Sequence, residues 1–156
     1  MYLPTLAAGL TLLVGLVKAD FSVYITQDAT PFLSPLDRLM FFDGPPSCDD
    51  VCGHGNSHAL LDDVSYRGAR CSGPGCGPPG YSGDIWELEV HVRDVTHWTI
   101  YQDDNYDMRP ADNGPDMGSC VRDTSDSFVC ACGVARDMGR RAFYCNSWVT
   151  ADFLRQ

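Results

Sequence analysis

The sequence predicts a β-rich domain, all-β or α+β, single and small, with an antiparallel sheet and long loops held by disulfides. Three observations carry that expectation. Phe21, Val23 and Ile25 alternate with Ser22, Tyr24 and Thr26, and Trp86, Leu88, Val90 and Val92 alternate with Glu87, Glu89, His91 and Arg93. A period of two belongs to a strand with one face on a core and the other in water. Eight cysteines, an even number, follow an apolar leader, which is the pattern of a disulfide framework. Glycine- and proline-rich stretches at 43–46 and 67–83 punctuate the chain as turns and loops do.

Residues 1–19 are an apolar run ending in small residues, read as a secretory signal cleaved after Ala19, although no positive charge precedes the run. The segment from Tyr2 to Val17 contains Pro4 and falls short of the roughly 20 residues a spanning helix needs. The expected product is residues 20–156, one secreted, extracellular domain with no membrane segment. Cys48, Cys52, Cys71, Cys76, Cys120, Cys130, Cys132 and Cys145 all lie within it and read as four disulfides of an oxidising compartment. Each bridge contributes about 2 to 4 kcal/mol by restricting the unfolded chain.

Lys18 is the only lysine, so residues 20–156 carry ten arginines against twenty-one carboxylates, a formal charge of −11. Such a surface repels phosphate backbones and anionic bilayers, and nucleic-acid binding is not expected. Absence of lysine fits a composition favouring arginine codons. It also leaves no side-chain amine for ubiquitin, which would suit later entry into a foreign cytosol.

The first element is a strand over 20–26, and 29–35 is a connection broken by Pro31 and Pro35. Residues 34–42 fit a short helix capped by Ser34 or a strand through Arg38 to Phe42, and the sequence leaves both open. After the 43–46 turn, 47–58 reads as a polar loop with the first cysteine pair, and 58–66 as a short helix or strand. Residues 67–83 are expected to hold no regular element in their interior. Cys71 and Cys76 staple that loop to one another or to other parts. The central segment 84–101 gives two strands, or one long bent one, interrupted at Asp94. Residues 102–119 read as a long polar loop with little to bury. A C-terminal hairpin is expected with strands 127–135 and 141–149 around a turn at 136–140. Cys130 and Cys132 face one way on the first of these strands, so each needs a different partner, such as Cys145 or Cys120.

Glu87, Glu89, His91 and Arg93 share a strand face, and His97 follows six residues after His91. Carboxylate, imidazole and guanidinium on one sheet face resemble the residue set of T1-type secreted ribonucleases, where a Glu/His pair moves protons and Arg neutralises the phosphorane. The spacing of that family's strand residues is not matched, and the alternative is a solvated face with charges paired across strands. Glu87-x-Glu89 is also similar to the paired glutamates of ADP-ribosyltransferases, whose other motifs are missing. Cys48-x3-Cys52-x-His54-x3-His58 has the residue types of a zinc site, but extracellular thiols oxidise first. Asp103-x-Asn105-x-Asp107 resembles the start of a calcium loop, with Met108 in place of the turn glycine and no glutamate at the twelfth position. No metal and no cofactor is expected. Trp86, Trp98 and Trp148 form a carbohydrate platform only if exposed.

A leader, one small domain, eight cysteines and an acidic, lysine-free composition resemble the small secreted cysteine-rich proteins of plant-associated fungi, many of them effectors. The resemblance is one of class and covers the whole expected domain. It implies a non-enzymatic binding protein acting on a protein target in a host or competitor, with loops 47–58, 67–83 and 102–119 as the contact surface. The alternative is a small hydrolase with a ribonuclease-like fold that uses Glu87, Glu89 and His91.

Overall fold

The computed structural model describes residues 19–31, 33–53 and 57–156; the expected leader, residues 1–18, lies outside the described residues. Among the described residues ten strands make two antiparallel sheets. In the larger, β3 (Ser57–Ala59), β2 (Leu36–Phe42), β1 (Ala19–Ala29), β10 (Ala135–Ser147) and β8 (Gly118–Arg122) lie in that order, and β9 (Ser127–Cys132) pairs with the first part of β10. The smaller sheet runs β4 (Gly68–Ser72), β5 (Glu87–Val92), β6 (Thr96–Tyr101), β7 (Arg109–Pro110).

Both seams between the sheets are hydrogen-bonded. Leu61 N–H donates to the Ala69 carbonyl at 2.7 Å on one side, and on the other Met108 N–H donates to Gly118 at 2.8 Å and Cys120 N–H to Tyr106 at 2.9 Å. The result is a flattened barrel. Phe21, Val23 and Ile25 of β1, Leu39 and Phe41 of β2 and Phe143 of β10 meet Leu88, Val90 and Val92 of β5 and Trp98 and Ile100 of β6 in its interior. Each such side chain contributes about 1.5 to 3 kcal/mol when fully withdrawn from water.

The alternate residues of β1 are not solvated, as a half-buried strand would require. Ser22, Tyr24 and Thr26 are buried as well, because the larger sheet carries a second layer on its outer face. There Tyr24, Met40 and Phe42 pack against Val51 and Cys130. Val51 belongs to α1 (Cys48–Cys52), a helix of five residues started by a reciprocal cap: Ser47 accepts from Asp50 N–H while the Asp50 carboxylate accepts from Ser47 N–H. Cys48 bonds Cys130 and Cys52 bonds Cys132, so α1 is riveted to β9 twice. Cys130 and Cys132 thus do take different partners, but from α1. Cys120 and Cys145, suggested for that role by the sequence, face each other on β8 and β10 and bond together; Cys71 closes on Cys76.

Several boundaries differ from expectation for physical reasons. Residues 36–42 are a strand, since Leu39 and Phe41 point into the barrel while Met40 and Phe42 point into the second layer. Residues 67–83 do contain a regular element, β4, whose buried Ala69 sits opposite Val90; a 3-10 turn at Pro74–Cys76 follows. The stretch 102–119 buries Met108 and Met117 and contains β7. The C-terminal hairpin turns at Gly133-Val134, where Gly133 takes a φ of 68°, and 136–140 is strand interior. The central segment is two strands, with Asp94 at φ 56° in the turn between them. A short α2 (Ala151–Leu154), capped by Thr150, packs Ala151 and Leu154 onto the core.

Candidate functional site

Among the described residues no helix packs on the outer face of the smaller sheet, and Glu87, Glu89, His91 and His97 gather there. β5 alternates as expected: Leu88, Val90 and Val92 are buried, while Glu87, Glu89 and His91 lie on the outer face. Trp86 departs from the pattern. Ile85 occupies the core in its place, so the phase shifts by one residue ahead of Glu87 and the Trp86 side chain is 57% exposed.

Cross-strand register then assembles the set. His91 is opposite His97, and Glu89 is flanked by Thr99 on β6 and Arg70 on β4. The His91 and His97 rings stack at 4.3 Å with 4° between their planes. His97 Nε2 lies 2.7 Å from Glu89 Oε1, and Arg70 Nη2 donates to Glu89 Oε2 at 2.8 Å and to Glu87 Oε1 at 2.6 Å. His91 Nδ1 donates to the Val64 carbonyl at 2.8 Å, which fixes its tautomer because a carbonyl only accepts. The groups therefore form one row, Glu87, Arg70, Glu89, His97, His91, across three strands.

Arg93 does not join the row. It lies past the end of β5, pairs with Asp94 at 3.2 Å and sits 4.6 Å over the Tyr66 ring. Arg70 supplies the guanidinium instead. Nothing in the local pattern of residues 67–83 marks Arg70, but pairing β4 antiparallel to β5 places it opposite Glu89.

The electrostatics decide what the row can do. Arg70 answers two carboxylates, and their charges hold its cation above the ordinary arginine range. Glu89, with a side chain 16% exposed, has one oxygen on Arg70 and the other on His97. Counting formal charges, two glutamates and one arginine leave the row net negative with neutral histidines. His97 held by a carboxylate is oriented for proton transfer, while the Arg70 Nη2 is shared by Glu87 and Glu89 and the Arg70 Nε is buried away from the surface.

Two cavities flank the histidine pair. His97 lines one of about 460 Å³ together with Pro110, Pro115, Met117 and Trp148; His91 lines another of about 670 Å³ with His58, Arg67 and Arg93. At the far end of the face, Trp86 and Tyr101 border a third beside Glu87.

The remaining candidates are placed elsewhere. Cys48 and Cys52 are oxidised, His54 lies outside the described residues, and His58 Nε2 is 2.6 Å from the Leu154 carbonyl. Burial pushes the His58 pKa below its usual range. In the acidic loop the cation is Arg109, which pairs with Asp104, Asp107 and Asp116 at 2.7, 3.2 and 2.9 Å. Hydrogen bonding from Arg109 holds the Asp104 carboxyl low. Among the described residues no group of three or more His, Cys, Asp or Glu side chains is arranged to hold a metal ion. Trp98 is core, whereas Trp86 and Trp148 are exposed. Of the three loops named as contact surface, 67–83 and 102–119 flank the outer face of the smaller sheet through β4 and β7, and 47–53 belongs to the layer on the larger sheet.

Among the described residues no helix is long and apolar enough to cross a membrane. No protein-family model, curated protein or solved structure matches the chain.

Proposed function

We propose that this chain is a secreted, effector-like binding protein acting on a protein target of a host or competitor, and that the outer face of the smaller sheet is its contact surface. The supporting observation is the asymmetry of the two sheets: the larger carries α1 on its outer face, whereas among the described residues no helix packs on the smaller, whose outer face is rimmed by Trp86, Tyr101 and Tyr66, all exposed. Aromatic anchors around a polar centre are the side chains that dominate binding energy at protein interfaces. Four disulfides suit an oxidising medium. The test is capture from host extract by immobilised protein with its bridges intact. A partner should be retained by the wild type and by Val134→Ser, at the 85% exposed hairpin turn, and lost by Trp86→Ala/Tyr101→Ala. Absence of a stoichiometric partner, or its retention by the double variant, refutes the reading.

One observation favours a second reading, a small hydrolase with a ribonuclease-like residue set: Glu89 and His97 meet at 2.7 Å. Against it, the charge of Arg70 is already answered by two carboxylates, Glu87 and Glu89, which share its Nη2. RNA cleavage abolished by His97→Ala and by Glu89→Gln would establish that reading over binding alone.

A further inference from the structure

Arg122 of β8 and Arg140 of β10 line a cavity of about 440 Å³ between the Gly80–Asp84 connection and the segment following β8. Both guanidiniums are partly withdrawn from water and are met mainly by carbonyls. Arg122 donates Nη1 to Ala142 and Nη2 to Gly83, the latter at 3.0 Å, and lies 4.9 Å over the Phe143 ring. Arg140 donates Nη2 to Gly75 at 2.9 Å, while its Nε and Nη1 are buried with no protein acceptor.

Among the described residues neither forms an ion pair, in contrast to Arg38, Arg70, Arg93, Arg109, Arg141 and Arg155. Arg67 and Arg136 are also without carboxylate partners, but both are exposed to water. Arg122 and Arg140 are thus the two arginines that, among the described residues, are both withdrawn and without an ion-pair partner in a domain rich in aspartate. Burial lowers the pKa of each, and at Arg122 the neighbouring Arg140 charge lowers it further. Both remain cations at neutral pH. Asp84 is the one carboxylate in the lining; its charge offsets part of the effect of burial at Arg122, short of an ion pair with either arginine. Buried donors and like charges at one cavity are unfavourable unless something accepts from them.

We propose that this cavity binds a compact oxyanion, a phosphate or sulfate group, held between Arg122 and Arg140, with the Ser82 and Thr124 hydroxyls of the lining as further donors. Arg140 keeps Nε and Nη1 as single donors for oxygens of such a group, while Arg122, whose Nη atoms already serve carbonyls, contributes its positive charge beside it. The site is separate from the row on the smaller sheet and does not depend on the binding reading above.

The test uses the full oxidised domain and three probes: inorganic phosphate, inorganic sulfate and a sulfated disaccharide. Arginine Nε–H resonances are followed by NMR, and the thermal midpoint is followed in parallel. The expected result is a saturable shift at Arg122 and Arg140 with a rise in midpoint that chloride at equal ionic strength does not give. Arg122→Gln and Arg140→Gln each weaken binding about tenfold or more, as loss of a charged hydrogen bond or of the charge beside it does, and Arg136→Ala changes nothing. Tighter binding of the disaccharide identifies a group carried on a larger molecule, and equal binding identifies the free ion. Shifts spread over the exposed arginines, or matched by chloride, overturn the proposal. The wild-type spectra decide it even if a variant fails to fold.

Discussion

Removing the two bridges between α1 and β9, singly and together, tests whether they act as one rivet. Either bridge alone closes a long loop, since Cys48 and Cys130 are 82 residues apart and Cys52 and Cys132 are 80 apart. Once one is formed, the second closes only a ring of about eight residues, five from α1 and three from β9. On the chain-entropy relation the long loop corresponds to about 4.5 kcal/mol and the small ring to about 2.5 kcal/mol. Cys48→Ala/Cys130→Ala and Cys52→Ala/Cys132→Ala should therefore each cost about 2.5 kcal/mol, whereas the quadruple variant should cost about 7 kcal/mol. Packing lost around buried Cys130 enters the single and combined variants alike and cancels in the cycle. Guanidinium unfolding at pH 7, followed by tryptophan fluorescence with Cys71–Cys76 and Cys120–Cys145 intact, gives the four free energies. A coupling of about 2 kcal/mol is expected. Strict additivity would refute the reasoning, and so would a single removal as costly as the quadruple one.

Three further outcomes follow from particular contacts. Trp98 is fully buried at the centre of the core, so Trp98→Ala should lose about 3 to 5 kcal/mol in a denaturant titration, while Trp86→Ala on the exposed face should stay within about 0.5 kcal/mol. Gly118 has a φ of 127°, and a Cβ there would run into the Asn146 backbone carbonyl; Gly118→Ala should cost at least about 1 to 3 kcal/mol by the same titration. Burial depresses the His58 pKa below its ordinary 6.5, so the unfolded chain takes up the proton first. Its contribution to stability is present above that value and is lost as pH falls through the depressed one. Urea midpoints should decline below neutrality and decline less in His58→Gln. The lowered carboxyls of Asp104 and Asp123 act in a separate, more acidic window.

Strands were legible in the sequence where one face met one core. β5 kept its alternation because only its inner face is buried, and its outer residues were correctly placed together. β1 alternates too, but its buried Tyr24 could not be foreseen, since what covers it is α1, held over the sheet by disulfides to β9, and no local pattern around Tyr24 reports that contact. β4 was hidden because five residues containing glycine, arginine and cysteine show no apolar period; its identity as a strand comes from pairing with β5. Arg70 was missed for that reason, and Arg93 was favoured because it has the right parity on a strand that ends one residue before it. The hairpin turn was misplaced because Gly139 resembled a turn glycine. It lies mid-strand where the Phe128 ring covers the position a Cβ would take. The double rivet was not legible, because its match in reach, about 6 Å for C-x3-C on a helix and about 7 Å for C-x-C on a strand, appears only once 48–52 is known to be helical rather than the polar loop its composition suggests.

The outer face of the smaller sheet can be tested against the β9–β10 hairpin of the larger one within a single experiment. Hydroxyl-radical footprinting of the captured complex should show Trp86, Tyr101 and Tyr66 protected on binding, with labelling of Val129 and Val134 unchanged; these five side chains are all exposed in the free protein. Protection at Val129 and Val134 with Trp86, Tyr101 and Tyr66 still labelled would place the contact at the β9–β10 hairpin and contradict the account.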